Sequence, residues 1–87
     1  MDELIAELEK LAAEIDSRSY LARVVTHAGR RPCLQVRNRQ AAVLTENIYA
    51  GEGFYWWGWA ERIAPVADVA AAAELVMRVL RAVGAGQ

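Results

Sequence analysis

The chain has 87 residues, 55% of them apolar, and a net charge of −1; this bounds it to one domain, residues 1–87, with a thin core, and excludes disorder. Its one cysteine, Cys33, cannot close an internal disulfide, and the acidic start Asp2, Glu3, Glu7, Glu9 is the reverse of a basic export leader, so a cytoplasmic setting is expected. The apolar run 63–73 is interrupted by Pro65 and Asp68, so no membrane span is expected.

Residues 2–16 place Leu4, Leu8, Leu11 and Ile15 at helical spacing, widened by Ile5 and Ala12. That stripe predicts an amphipathic helix with Asp2 as its cap and Glu7, Lys10 and Glu14 paired on the polar side. It is close to a heptad seam but too short for a coiled coil, so it reads as a helix packed on its own sheet. After a turn at 17–19, residues 20–26 read as a first strand and 33–37 as a second. Between them, Gly29 and Pro32 make a turn. Residues 38–41 turn again and 43–49 form a third strand. Gly51-Glu52-Gly53 reads as a three-residue hairpin loop.

The next stretch, Phe54-Tyr55-Trp56-Trp57-Gly58-Trp59, holds all three tryptophans and the one phenylalanine. It opens a fourth strand that Pro65 closes. Asp68 caps a last helix carrying Val69, Ala72, Ala73, Val76, Met77 and Leu80, which runs to about Val83 and stops at Gly84 before a frayed tail. The expected fold class is therefore α+β: a four-stranded antiparallel meander flanked by N- and C-terminal helices, in the order α-β-β-β-β-α.

Strand alternation with a three-residue loop sets Tyr55, Trp57 and Trp59 opposite Tyr49, Asn47 and Thr45 on one side. Phe54, Trp56, Gly58 and Ala60 then fall on the other side, which the small residues assign to the core. A loop one residue shorter or longer reverses this relation. Two short helices cannot cover both sides of such a sheet. The candidate interface is thus Tyr49, Tyr55, Trp57, Trp59, Asn47, Arg23 and Arg37, with Gln35 beside them. Exposed aromatic patches of this size mark contacts, and Trp, Tyr and Arg are the residue types that anchor them.

Charge is segregated along the chain. Residues 1–16 carry six acids and one lysine, and residues 17–45 carry six arginines and no acid. The overall balance suggests that the first helix or a second copy of the chain answers this basic middle. The leading expectation is a non-enzymatic protein-interaction module, a homodimer or larger homo-oligomer, chaperone- or adaptor-like, with a further protein as a second partner. A small-ligand site is the alternative, ahead of single-stranded nucleic acid on the same aromatic and arginine face. No catalytic, metal or cofactor motif stands out. His27 and Cys33 are one of each, which is too few for a zinc site, and they read as a solvated turn and a buried filler.

The elements Gly29-Arg30-Arg31-Pro32-Cys33-Leu34-x-Val36-x-Asn38, Ile48-Tyr49, Trp56-Trp57-x-Trp59-Ala60-Glu61-Arg62-Ile63 and Arg78-Val79-Leu80-Arg81 resemble small uncharacterised actinobacterial proteins. The tryptophan-rich run is the distinctive part, and the resemblance implies no activity and transfers no functional residue. The layout is also similar to small secretion-chaperone folds, which implies dimerisation and client holding by analogy of architecture alone.

Overall fold

The computed structural model describes residues 2–81. Its elements are α1 (Asp2–Glu14), β1 (Tyr20–Val25), β2 (Cys33–Asn38), β3 (Thr45–Gly51), β4 (Phe54–Trp57), β5 (Arg62–Pro65) and α2 (Val69–Val79). The class is α+β, and the strands form one antiparallel meander in the order β1-β2-β3-β4-β5.

Five strands replace the four expected, because residues 54–65 do not run straight. Gly58, Trp59 and Ala60 make a three-residue hairpin loop. Ala60 N–H donates to the Trp57 carbonyl at 2.9 Å, and Trp57 N–H donates to the Glu61 carbonyl at 2.8 Å. Ala60 sits in the left-handed region at φ 70°, the conformation this loop demands of its last residue. Beyond it, Arg62 pairs with Trp56 and Ala64 with Tyr55, which leaves Ile63 as the extra residue of a bulge. Both Ile63 and Ala64 turn inward as a result.

The hairpin between β3 and β4 corrects the expected register. Its loop is Glu52-Gly53 alone, with both residues at positive φ (53° and 82°), and Gly51 pairs with Phe54. Two consecutive left-handed residues match a primed turn, whose twist suits the strands it joins. Tyr49 therefore faces Trp56, Ala50 faces Tyr55, and Ile48 faces Trp57. One residue fewer in the loop moves every β4 side chain to the opposite face. Tyr55 and Trp57 point into the core, at 0% and 5% exposure. They do not join Tyr49 on the open side. Gly58 and Ala60, expected against a helix, are exposed in the second loop instead.

Both helices lie on one side of the sheet. That side presents Tyr20, Leu34, Val36, Ile48, Ala50, Tyr55, Trp57 and Ala64 to Leu8, Leu11 and Ile15 of the first helical segment and Ala72, Ala73, Val76 and Leu80 of the last. Apolar burial drives this layering, and three hydrogen bonds fix it. The Tyr55 hydroxyl donates to the Glu7 carbonyl of α1 at 2.6 Å. The Tyr20 hydroxyl donates to the Met77 carbonyl of α2 at 2.8 Å. Asn38 Nδ2 donates to the Leu80 carbonyl, just past α2, at 2.7 Å.

The helix boundaries follow from local chemistry. α1 ends at Glu14, two residues short of expectation, because the Asp16 carboxylate takes the Arg18 N–H at 3.0 Å and so favours a turn. Asp68 caps α2 as expected, accepting from the Ala71 N–H at 3.3 Å. α2 ends at Val79; the stop expected at Gly84, the frayed tail and the capping side chain of Asp2 lie outside the described residues.

Candidate functional site

The side of the sheet turned away from the helices is bare. Alternation from the observed register sets Leu21, Arg23 and Val25 of β1 on it, beside Cys33, Gln35 and Arg37 of β2. β3 adds Thr45, Asn47 and Tyr49, β4 adds Phe54 and Trp56, and β5 adds Arg62. Tyr49 and Trp56 are direct cross-strand partners, and Trp56 is directly opposite Arg62. The result is one continuous row across three strands.

Two arginines are held on this row by the rings. The Arg62 guanidinium lies 4.6 Å from the Phe54 ring centroid and 5.7 Å from that of Trp56. Phe54 and Trp56 meet edge to face at 6.4 Å. On the other flank Arg31, from the turn before β2, lies 5.9 Å from the Tyr49 centroid and donates from Nη2 to the Ala50 carbonyl at 3.0 Å. Cation–ring contacts and this one carbonyl fix both guanidinium groups while leaving further donors unspent. Trp56 Nε1 donates to the Gly51 carbonyl at 2.9 Å, so the indole is fixed as well.

Gly51 makes room for Arg31. A Cβ on Gly51 would come within 2.7 Å of Arg31 Nη2. The glycine therefore has a local steric reason to be there, independent of its own backbone angles.

Two hollows meet on this side at Arg31 and Tyr49. One, of about 430 Å³, is lined by Arg31, Tyr49, Gly51, Glu52 and Trp56, with Trp57, Gly58 and Ala60 completing it. The other, of about 390 Å³, is lined by Val25, His27, Arg30, Cys33, Gln35 and Asn47 together with the same two residues. His27 and Cys33 thus reach one hollow beside the first hairpin. Among the described residues no group of three or more His, Cys, Asp or Glu side chains could hold a metal ion.

The electrostatics are polarised across the sheet. No strand position on the open side holds an acid, whereas Arg23, Arg31, Arg37 and Arg62 are all there and exposed. The exposed acids Glu3, Glu9 and Glu14 ride on α1, on the far side of the sheet. Among the described residues the one ion pair joins Lys10 to Glu7 at 3.8 Å. The internal answer expected for the basic middle is absent from them, since no arginine enters an ion pair.

Of the residues expected at the interface, Tyr49, Asn47, Arg23 and Arg37 are brought together on the open side. Tyr55 and Trp57 are separated from them by the sheet itself. Burial, with the Glu7 carboxylate adding to it, pushes the Tyr55 hydroxyl up to about 12. Trp59 occupies the β4–β5 loop at 51% exposure, its ring stacked on that of Trp57 at 4.9 Å and 5°. Its Nε1 donates to Glu61 Oε1 at 2.8 Å. Three members of the open row escaped the sequence reading: Trp56, Phe54 and Arg62. Little in the sequence signals them, because Asn, Asp or Gly before glycine marks the two-residue turn and Glu52, at φ 53°, is none of these.

Among the described residues no helix is long and apolar enough to cross a membrane. Comparison with protein-family models, curated proteins and solved structures finds no match.

Proposed function

We propose that this chain is a non-enzymatic protein-interaction module of the reducing cytoplasm that associates with further copies of itself through the bare side of its sheet. One observation carries the reading. Both helices are spent on one side, while the other presents Tyr49, Trp56 and Phe54 with two guanidinium groups already positioned over them. Large aromatics bury about 150–250 Å² each from full exposure; these three are half-buried in the single chain, so a contact removes from water only the part of each ring that still faces out. A rigid aromatic and arginine centre is the composition of an interface hot spot. A chaperone- or adaptor-like use, with a client protein in place of the second copy, draws on the same row.

Sedimentation of the wild type beside Trp56→Ala and Tyr49→Ala tests this. A concentration-dependent rise in mass for the wild type, lost in both variants, is expected. A wild type that stays a single chain at about 100 μM contradicts it.

A second reading, single-stranded nucleic acid on the same row, gains from the placement of the acids. Those of α1 lie behind the sheet, so a polyanion meets arginines and rings with Glu52 of the β3–β4 turn as the one carboxylate lining the hollow beside them. Retention of a monomeric wild type on oligodeoxythymidylate, falling steeply with salt, is its signature.

A further inference from the structure

The bare side calls for an anionic complement, and the chain carries one. We infer that copies associate head to tail, the exposed acidic surface of α1 in one copy lying across the arginine and aromatic row of the next. This rests on the self-association proposed above and names the surface that meets the row.

The argument begins with what the row rejects. Pairing two identical rows about a two-fold axis sets the four arginines of one copy against the same four of the other, with no acid at any strand position between them and Glu52 of the β3–β4 turn as the one acid lining the adjoining hollow. Like charges brought together in a partly desolvated contact oppose binding. The row therefore seeks a different surface, and a contact between unlike surfaces is heterologous. Among the described elements, α1 is the one with net negative charge on its exposed side and an apolar line between the acids. Glu3, Glu9 and Glu14 are exposed along it, together with Ala6, Ala13 and one cation, Lys10, which leaves the surface net negative.

Dimensions agree with charge. At about 1.5 Å per residue, Glu3 and Glu14 lie roughly 16 Å apart along the helix axis. At about 4.8 Å per strand and about 3.4 Å per residue along a strand, Arg37 lies three strands and four residues from Arg62, and Arg23 four strands and two residues, roughly 20 Å in each case and within side-chain reach of that helical span. A helix laid across the strands thus brings carboxylates over arginines at both ends of the row. Its alanine line then rests on Tyr49 and Trp56. A single helix on a single sheet face is a small contact, so the affinity belongs to the weak, concentration-dependent class. Because the surfaces differ, each added copy leaves one of each free, and growth continues until a ring closes.

Sedimentation equilibrium on the full chain tests this with two charge reversals. Glu9→Lys/Glu14→Lys changes only exposed side chains toward the C-terminal end of α1, where cations suit the helix dipole, so its fold is retained. Arg31→Glu/Arg62→Glu reverses the row. Head-to-tail association predicts that each variant alone is a single chain, that an equimolar mixture regains association because opposite charges then meet at every junction, and that wild-type association weakens about tenfold or more from 0.02 to 0.5 M salt. A Glu9→Lys/Glu14→Lys variant that associates as the wild type does overturns the head-to-tail arrangement while leaving self-association through the row intact. A wild type that is a single chain at low salt and about 100 μM overturns both.

Discussion

Asn38 is the residue whose loss should cost this fold most for its size. It is 6% exposed and uses both ends of its amide: Nδ2 donates to the Leu80 carbonyl at 2.7 Å, and Oδ1 accepts from the Gln40 and Ala41 N–H groups at 2.8 and 3.2 Å. It therefore ties the end of α2 to the β2–β3 loop and helps keep both helices on one side. Asn38→Ala removes all three bonds. At about 0.5–1.5 kcal/mol each, the loss is roughly 2–4 kcal/mol, before any cost of leaving the Leu80 carbonyl buried without a partner. A domain of this size holds only about 4–13 kcal/mol in total, so the melting temperature should fall by roughly 10–25 °C.

Asn38→Asp separates the two roles of the amide. It keeps both accepted bonds but sets a carboxylate against the Leu80 carbonyl, at the negative end of the α2 dipole. At neutral pH it should be destabilised by about 2 kcal/mol or more. The gap to wild type should narrow as pH falls toward about 4 and be smallest below it, where the acid is protonated in both states and can donate again. Urea unfolding followed by circular dichroism at pH 7 and pH 3.5 reads both effects. An Asn38→Ala variant within 0.5 kcal/mol of wild type, or an Asp variant with a pH-independent deficit, would refute this account of how α2 is held.

Three further outcomes are expected. Ala60→Gly relieves a left-handed alanine (φ 70°) and should stabilise the fold by about 0.5–1 kcal/mol, raising the melting temperature by roughly 2–8 °C; a lower melting temperature counts against the turn. The Tyr55 hydroxyl must stay protonated to donate to Glu7, and its value is raised from 10.0 to about 12. Its contribution is therefore complete below pH 10 and is lost as pH rises through about 12, a span worth roughly 2–3 kcal/mol. Tyr55→Phe should show a flatter alkaline limb in urea titrations, and two parallel limbs exclude the effect. Gly51→Ala should displace Arg31 from the Ala50 carbonyl and weaken self-association several-fold, with less than about 1 kcal/mol lost in stability. An unchanged association constant removes Arg31 from the interface.

Much of the fold was legible because hydrophobic spacing is a local property. Leu4, Leu8, Leu11 and Ile15 announced α1, and Asp68 announced the start of α2, from contacts within a turn or two. The open positions of the first three strands were legible for the same reason, since alternation fixes Arg23, Gln35, Arg37, Asn47 and Tyr49 relative to their neighbours. The fourth strand was not. Its facing depends on a single residue of loop length, and Gly51 was counted into the loop when it is the last residue of β3. The break after Trp57 was hidden because Ala60, not glycine, fills the left-handed position. The bulge at Ile63 is set by pairing with β4 and carries no local mark. Charge polarity across the sheet was also illegible, because it appears only once both helices are known to share one side.

The account depends on Trp56 and Tyr49 facing solvent in a single chain and being covered when chains meet, while Trp57 stays beneath the helices throughout. Hydroxyl-radical footprinting across a dilution series, from about 1 to 500 μM, reads all three residues in one experiment. Trp56 and Tyr49 should be modified at the dilute end and protected at the concentrated end, with Trp57 protected at both. Trp56 as shielded as Trp57 in dilute solution, or as reactive when concentrated as when dilute, would contradict it.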